Sequence, residues 1–113
     1  MQNGFVLPAN TYRHLVRLLS SRGYYIVEKN LRVYHSYIHD KRIVIYSKKT
    51  PANKLRYLIH EGLHDVYPTW SEKDIRTATS ELFNSLTIKQ MTHLGEIYMR
   101  LVRRGKRREQ VQS

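Results

Sequence analysis

The chain predicts an α+β fold: an N-terminal helix, a three-stranded antiparallel sheet, then three helices. Three observations carry that expectation. β-Branched and aromatic residues gather between Tyr24 and Ser47. On either side of that stretch, apolar residues recur at helical spacing. Residues suited to helix caps and turns stand at the joins.

The first helix is expected from Pro8 to Arg22, with Leu15, Leu18 and Leu19 as its apolar stripe. Asn10 or Thr11 can cap its start, and Gly23 stands where a terminating glycine belongs. Three strands follow: Tyr24 to Glu28 (YYIVE), Leu31 to Ile38 (LRVYHSYI) and Arg42 to Ser47 (RIVIYS). In the second, Leu31, Val33, His35 and Tyr37 alternate with Arg32, Tyr34, Ser36 and Ile38. Lys29-Asn30 and His39-Asp40 read as turns, so the strands read as an antiparallel meander. A helix from Pro51 to Val66 comes next, capped by Thr50 with Pro51 in its first position. Leu55, Leu58, Ile59, Leu63 and Val66 form its apolar side. Tyr67-Pro68-Thr69-Trp70 breaks the chain, and Ser71 caps a helix to Leu86 with Glu72, Lys73 and Asp74 in its first turn. Thr87 opens a last helix to Arg104, which Gly105 ends. Residues 105–113 then read as a polar, basic tail.

The 113 residues fit one domain, placed at 1–104, with a modest core at 41% hydrophobic content. With no cysteine, disulfides, thiolate metal sites and cysteine nucleophiles are excluded. MQNGFVLPAN lacks the basic and apolar regions of a secretory leader, and no apolar run approaches a membrane span. The cytoplasm is the expected location, with no membrane partner. The formal charge of +11 suits an anionic partner, and the segment from Arg100 to Arg108 concentrates it. Arg100, Arg103, Arg104, Lys106, Arg107 and Arg108 make that segment a candidate for nucleic acid, or a solvated helix end that complements the dipole.

The informative motif is HEGLH, His60 to His64, within the second expected helix. Histidines at i and i+4 share one helical face, so both imidazoles can reach one ion at ~2.0–2.1 Å. Glu61 is rotated by about 100° from His60 and can reach a water at an open coordination position. There it can act as general base and then as general acid. At this composition the pattern arises by chance about 0.016 times per chain, so coincidence is a poor explanation.

The segment IVIYSKKTPANKLRYLIHEGLHDVYPTWSEKDI resembles the zincin class of metallopeptidases. It is most similar to small single-domain members of bacteria and phages, where a strand leads into an L-x-H-E-x-x-H helix, a proline-containing turn and an S-E-x-x-I/V helix. A more distant likeness is to metallopeptidases of the ImmA/IrrE type. The resemblance covers about residues 42–86 and implies a zinc-dependent peptidase with Zn2+ as cofactor and a peptide or protein as substrate.

A catalytic zinc site of this kind takes three protein ligands and keeps one position open. Six residues beyond His64 stands Trp70, so the extended three-histidine motif is absent. A glutamate of the next helix is the natural third ligand, as the resemblance also implies. The candidates are Glu72 and Glu81, with Asp65 and Asp74 behind them. The short link between the helices sets the first turn of the second level with His64. Glu72 lies in that turn; Glu81 lies ~13 Å further along the axis. A first-turn acid such as Glu72 also suits a capping role.

Asp65 can bond a ligand, anchor the turn or face solvent. Tyr67 can donate to a developing oxyanion or simply pack, and Trp70 reads as a core anchor. Ile43 to Ser47 is either a substrate-binding edge or an ordinary core strand. His14, His35, His39 and His93 lack ligand spacing and read as surface or boundary residues, with His93 the most distant candidate ligand. The enzyme reading leads: His60, His64 and Glu72 hold zinc, and Glu61 is catalytic. The alternative is a basic nucleic-acid-binding or regulatory domain whose zinc site is structural or vestigial.

Overall fold

Residues 43–45 organise the molecule. In the computed structural model, which describes residues 5–31 and 35–111, Ile43, Val44 and Ile45 are completely buried. The element order is α1 (Thr11–Leu19), β1 (Tyr25–Lys29), β2 (Ser36–His39), β3 (Arg42–Tyr46), α2 (Pro51–Val66), α3 (Glu72–Ser85) and α4 (Ile88–Val111). One helix, three strands and three more helices make the α+β layout expected.

The sheet departs from the expected meander. Its order is β1-β3-β2, with β1 parallel to β3 and β2 antiparallel to it. Tyr25 lies opposite Arg42 and Lys29 opposite Tyr46, while Ser36 lies opposite Ile45. Lys29-Asn30 is therefore no hairpin turn between paired neighbours: β1 and β2 lie on opposite edges of β3. The reason is burial. A strand hydrophobic at consecutive positions belongs in the centre, where both faces are covered. Of the strand expected from Leu31 to Ile38, Ser36–His39 forms β2, Leu31 and His35 are not in it, and Arg32, Val33 and Tyr34 lie outside the described residues. The β2–β3 turn is Asp40-Lys41, both at positive φ (51° and 69°), the geometry that suits a two-residue hairpin.

Local caps set the helix starts. Thr50 accepts from the Asn53 amide at 3.2 Å, and Ser71 from the Asp74 amide at 3.1 Å. Thr87 and Gln90 cap reciprocally, each accepting the other's amide at 3.0 Å. α2 is the hub, touching α1, α3, α4, β2 and β3. Its Leu58, Ile59 and Leu63 join Leu15, Leu19, Ile75 and Ile97 in one core. Burial of each such side chain contributes about 1.5–3 kcal/mol. Gly62 admits α1 closely: a Cβ there would meet Leu15 Cδ1 at 2.5 Å.

α4 does not stop at Gly105; it runs to Val111. Gly105 is the crossing point with β1, since a Cβ would stand 2.0 Å from the Ile26 carbonyl oxygen. Here glycine serves close approach rather than helix termination. Within the segment read as a tail, Gly105, Arg108 and Glu109 lie against the sheet, as does Arg104 just before it. Arg104 donates to the Tyr24 carbonyl at 2.8 Å, Glu109 pairs with Arg42 at 3.1 Å, and Arg108 lies over the Tyr25 ring. Among the described residues, no helix is long and apolar enough to cross a membrane.

Candidate metal centre

α2 turns its core stripe inward and leaves a flank carrying Arg56, His60 and His64 at i, i+4 and i+8. α3 returns beside it after a five-residue link, 67–71, that opens with Tyr67. Tyr67 stacks on Trp70 with ring centroids 3.9 Å apart, and Trp70 meets Phe5 edge-on at 5.5 Å. This aromatic cluster fixes the turn, so Trp70 is the anchor expected. The Tyr67 hydroxyl lies 2.9 Å from Thr11 Oγ1, whose own proton goes to the Pro8 carbonyl at 2.8 Å. Tyr67 therefore donates to Thr11 and ties the turn to α1; this is the packing alternative.

The turn sets the first residue of α3, Glu72, against the histidines. Glu72 Oε1 stands 2.8 Å from His60 Nε2, and Oε2 stands 3.1 Å from His64 Nε2. The two Nε2 atoms are 3.3 Å apart. A tetrahedral zinc with bonds of ~2.0–2.1 Å requires ligand atoms about 3.3–3.4 Å from one another. The histidine pair already matches that spacing, and the carboxylate has only to draw back by tenths of an ångström. Glu72 is half-exposed at 48%, so it can do so without breaking the core. Among the described residues these three form the group of ligand atoms close enough to share an ion.

The other acids go elsewhere. Asp65 accepts from the Tyr24 hydroxyl at 2.6 Å, pinning the end of α2 to the start of β1. Burial and that bond push the Tyr24 hydroxyl well above the ordinary tyrosine range. Glu81 is exposed on α3, and Asp74 serves the cap through its amide. His93 lies 3.7 Å from Glu96 on the same exposed face of α4; His14 and His39 are exposed.

Glu61 is 5% exposed yet borders the open space on both sides of His60. The Ser36 hydroxyl donates to its Oε2 at 2.6 Å, across 25 residues of sequence. Burial raises the Glu61 carboxyl above its usual range; the Ser36 bond and the two histidines oppose that, and Glu72 adds to it. Sequence reasoning missed Ser36, because a strand serine carries no local sign of its partner. His35, read as a surface or boundary residue, is exposed; it stacks on Tyr57 at 5.7 Å and forms part of the cleft wall.

Two adjoining hollows of about 440 and 540 Å³ meet at Ser36, His60, Glu61, Glu72 and Arg76. The second extends along β2 through Tyr37 and Ile38 to His64. β3, expected as a possible substrate edge, is instead the central strand; the edge beside the candidate centre is β2. No family model, curated protein or solved structure matches the chain.

Proposed function

We propose that the protein is a zinc-dependent peptidase in which His60, His64 and Glu72 hold the ion and Glu61 moves the proton. The observation that carries this reading is the convergence of these four side chains at one cleft beside a sheet edge. Zinc, when bound, would lower the pKa of a coordinated water toward neutrality and polarise the scissile carbonyl.

The chain's own residues supply the rest. β2 pairs with β3 on one side only among the described strands, so its outer backbone groups can pair with an extended peptide. That edge runs past His60 and His64 along the hollow. Ser36 occupies Glu61 Oε2, which leaves Oε1 to accept a proton from the attacking water. As the carbon–oxygen bond forms and the carbon–nitrogen bond breaks, Glu61 returns that proton to the leaving amine. A carboxyl whose pKa is raised by burial suits both halves of that cycle.

The test is a library of blocked, unstructured peptides incubated with zinc-loaded protein and read by mass spectrometry. Cleavage that stops with a chelator and returns with zinc is expected. A library left intact by protein shown to carry zinc would sink the peptidase reading.

A second reading concerns α4. Arg100, Arg103, Lys106, Arg107 and Arg108 are all exposed on it, and Arg100, Arg103 and Arg107 share one stripe at i, i+3 and i+7. That stripe fits a phosphate backbone, as a docking site for nucleic acid. Duplex binding is then expected with a steep salt dependence. Replacing the three arginines by glutamine flattens the log–log salt slope by about 2.7. Binding unchanged by the triple substitution counts against it.

A further inference from the structure

We infer that Arg56 and Arg76 form a carboxylate-recognising subsite beside the candidate zinc ligands, selecting substrates with an acidic group next to the bond cleaved. The inference rests on the peptidase reading above and adds a substrate class to it.

Arg56 is half-buried in the wall of the smaller hollow, one helical turn before His60. Its guanidinium donates to Ser80 Oγ at 2.6 Å and lies over the Phe83 ring at 5.4 Å. Those contacts hold the group in place but leave its charge unmatched among the described residues. All nine Asp and Glu side chains belong to described residues, and none comes within 4 Å of Arg56. Six of those acids have other partners: Glu28, Glu61, Asp65, Glu72, Glu96 and Glu109. A partly desolvated cation without a counter-charge is costly, and an incoming anion removes that cost.

Arg76 completes the arrangement from the other wall. It lies one turn beyond Glu72 on α3, and its side chain is 73% exposed. Its nearest acid is Glu72 Oε1 at 3.6 Å, an oxygen that His60 already approaches at 2.8 Å. α2 and α3 run antiparallel, since Glu72 faces His60 and His64 while Ser80 faces Arg56. Both arginines therefore lie to the same side of the candidate ligands, displaced by about 6 Å along the helices. An extended peptide advances about 3.4 Å per residue, so a group one or two residues from the reacting carbonyl falls there. Guanidinium and carboxylate are both planar and meet as a two-bond fork, which a lysine cannot reproduce. The carboxylate is either an Asp or Glu side chain or the free C-terminus of the substrate.

Four matched peptides distinguish these sources: Glu or Gln beside the scissile position, each with a free or amidated C-terminus. Their affinities for zinc-loaded and zinc-free Glu61→Gln protein are read by fluorescence anisotropy, and their cleavage is read on the wild type. At least tenfold tighter binding of one acidic form over its neutral isostere is expected, with zinc or without it. Arg56→Gln reduces that preference to within about threefold. Arg76→Gln, whose side chain is largely in solvent, carries the test if Arg56→Gln does not fold. A gain from the Glu side chain in the amidated peptide assigns side-chain recognition; a gain from the free acid in the Gln peptide assigns the C-terminus. Equal binding of all four peptides overturns the subsite, even where all four are cleaved. Tighter acidic binding without cleavage of any peptide keeps the subsite and removes the peptidase reading.

Discussion

Glu61→Gln is expected to lower peptide cleavage by about 10³-fold while the zinc content stays at that of the wild type. The substitution keeps the size of the side chain and an oxygen that can accept from the Ser36 hydroxyl, now 2.6 Å from Oε2. It removes the one property that the proposed chemistry needs, the ability to accept and return a proton. General acid–base groups contribute about 10²–10⁴ in rate, and a loss of 10³ corresponds to about 4 kcal/mol of transition-state stabilisation. Glu61 already lies against the core at 5% exposure, and Gln meets the same surroundings without a charge, so the fold should hold. The pattern is read in two measurements: initial cleavage rates and zinc by mass spectrometry. Cleavage within a few-fold of the wild type would remove Glu61 from the chemistry. Loss of zinc together with activity would instead make Glu61 part of the metal site.

How much of this was legible in the sequence depends on how far each interaction reaches. α2 was, almost to the residue, because Thr50, Pro51 and the apolar spacing act within a few positions. The grouping of His60 with His64 followed from one helix's periodicity, and Glu72 followed because a short link leaves α3 few ways to return. The sheet was another matter. Whether β2 pairs with β1 or lies beyond β3 is decided by what β3 buries, not by the preferences of Lys29-Asn30. The side chain that Ser36 meets depends on register, which alternation alone does not specify. Gly105 shows the same limit: a glycine followed by polar residues reads as a helix end, and only the Ile26 carbonyl beneath it gives another reason. Arg56 gave no sign, since its charge, unmatched among the described residues, is visible only when every Asp and Glu side chain has been placed.

Zinc is expected to stabilise the wild type strongly and the ligand variants hardly at all. Three potential ligands from two helices meet at the α2–α3 seam, where His60 and His64 face Glu72 across 2.8 and 3.1 Å. An ion held there fastens the two helices together and binds only the folded chain. Free zinc at a thousandfold its Kd adds about 4 kcal/mol to folding. For a chain of this size that raises the Tm by on the order of 10–20 °C. His60→Ala leaves two of three ligands, and Glu72→Ala leaves the histidine pair without its anionic partner; each is expected to abolish most of the shift and the stoichiometric metal. Their Tm values without zinc should differ little from the wild type, because neither His60 nor Glu72 belongs to the buried core. Glu81→Ala is the control: it alters an exposed acid of the same helix and should respond to zinc as the wild type does. Calorimetric melting with zinc and with a chelator reads all four proteins in one experiment. A wild type whose Tm ignores zinc would leave His60, His64 and Glu72 as a hydrogen-bonded seam between helices, and the reading of α4 as a nucleic-acid surface would then take precedence. A shift that survives Glu72→Ala but not Glu81→Ala would move the third ligand to the far end of α3.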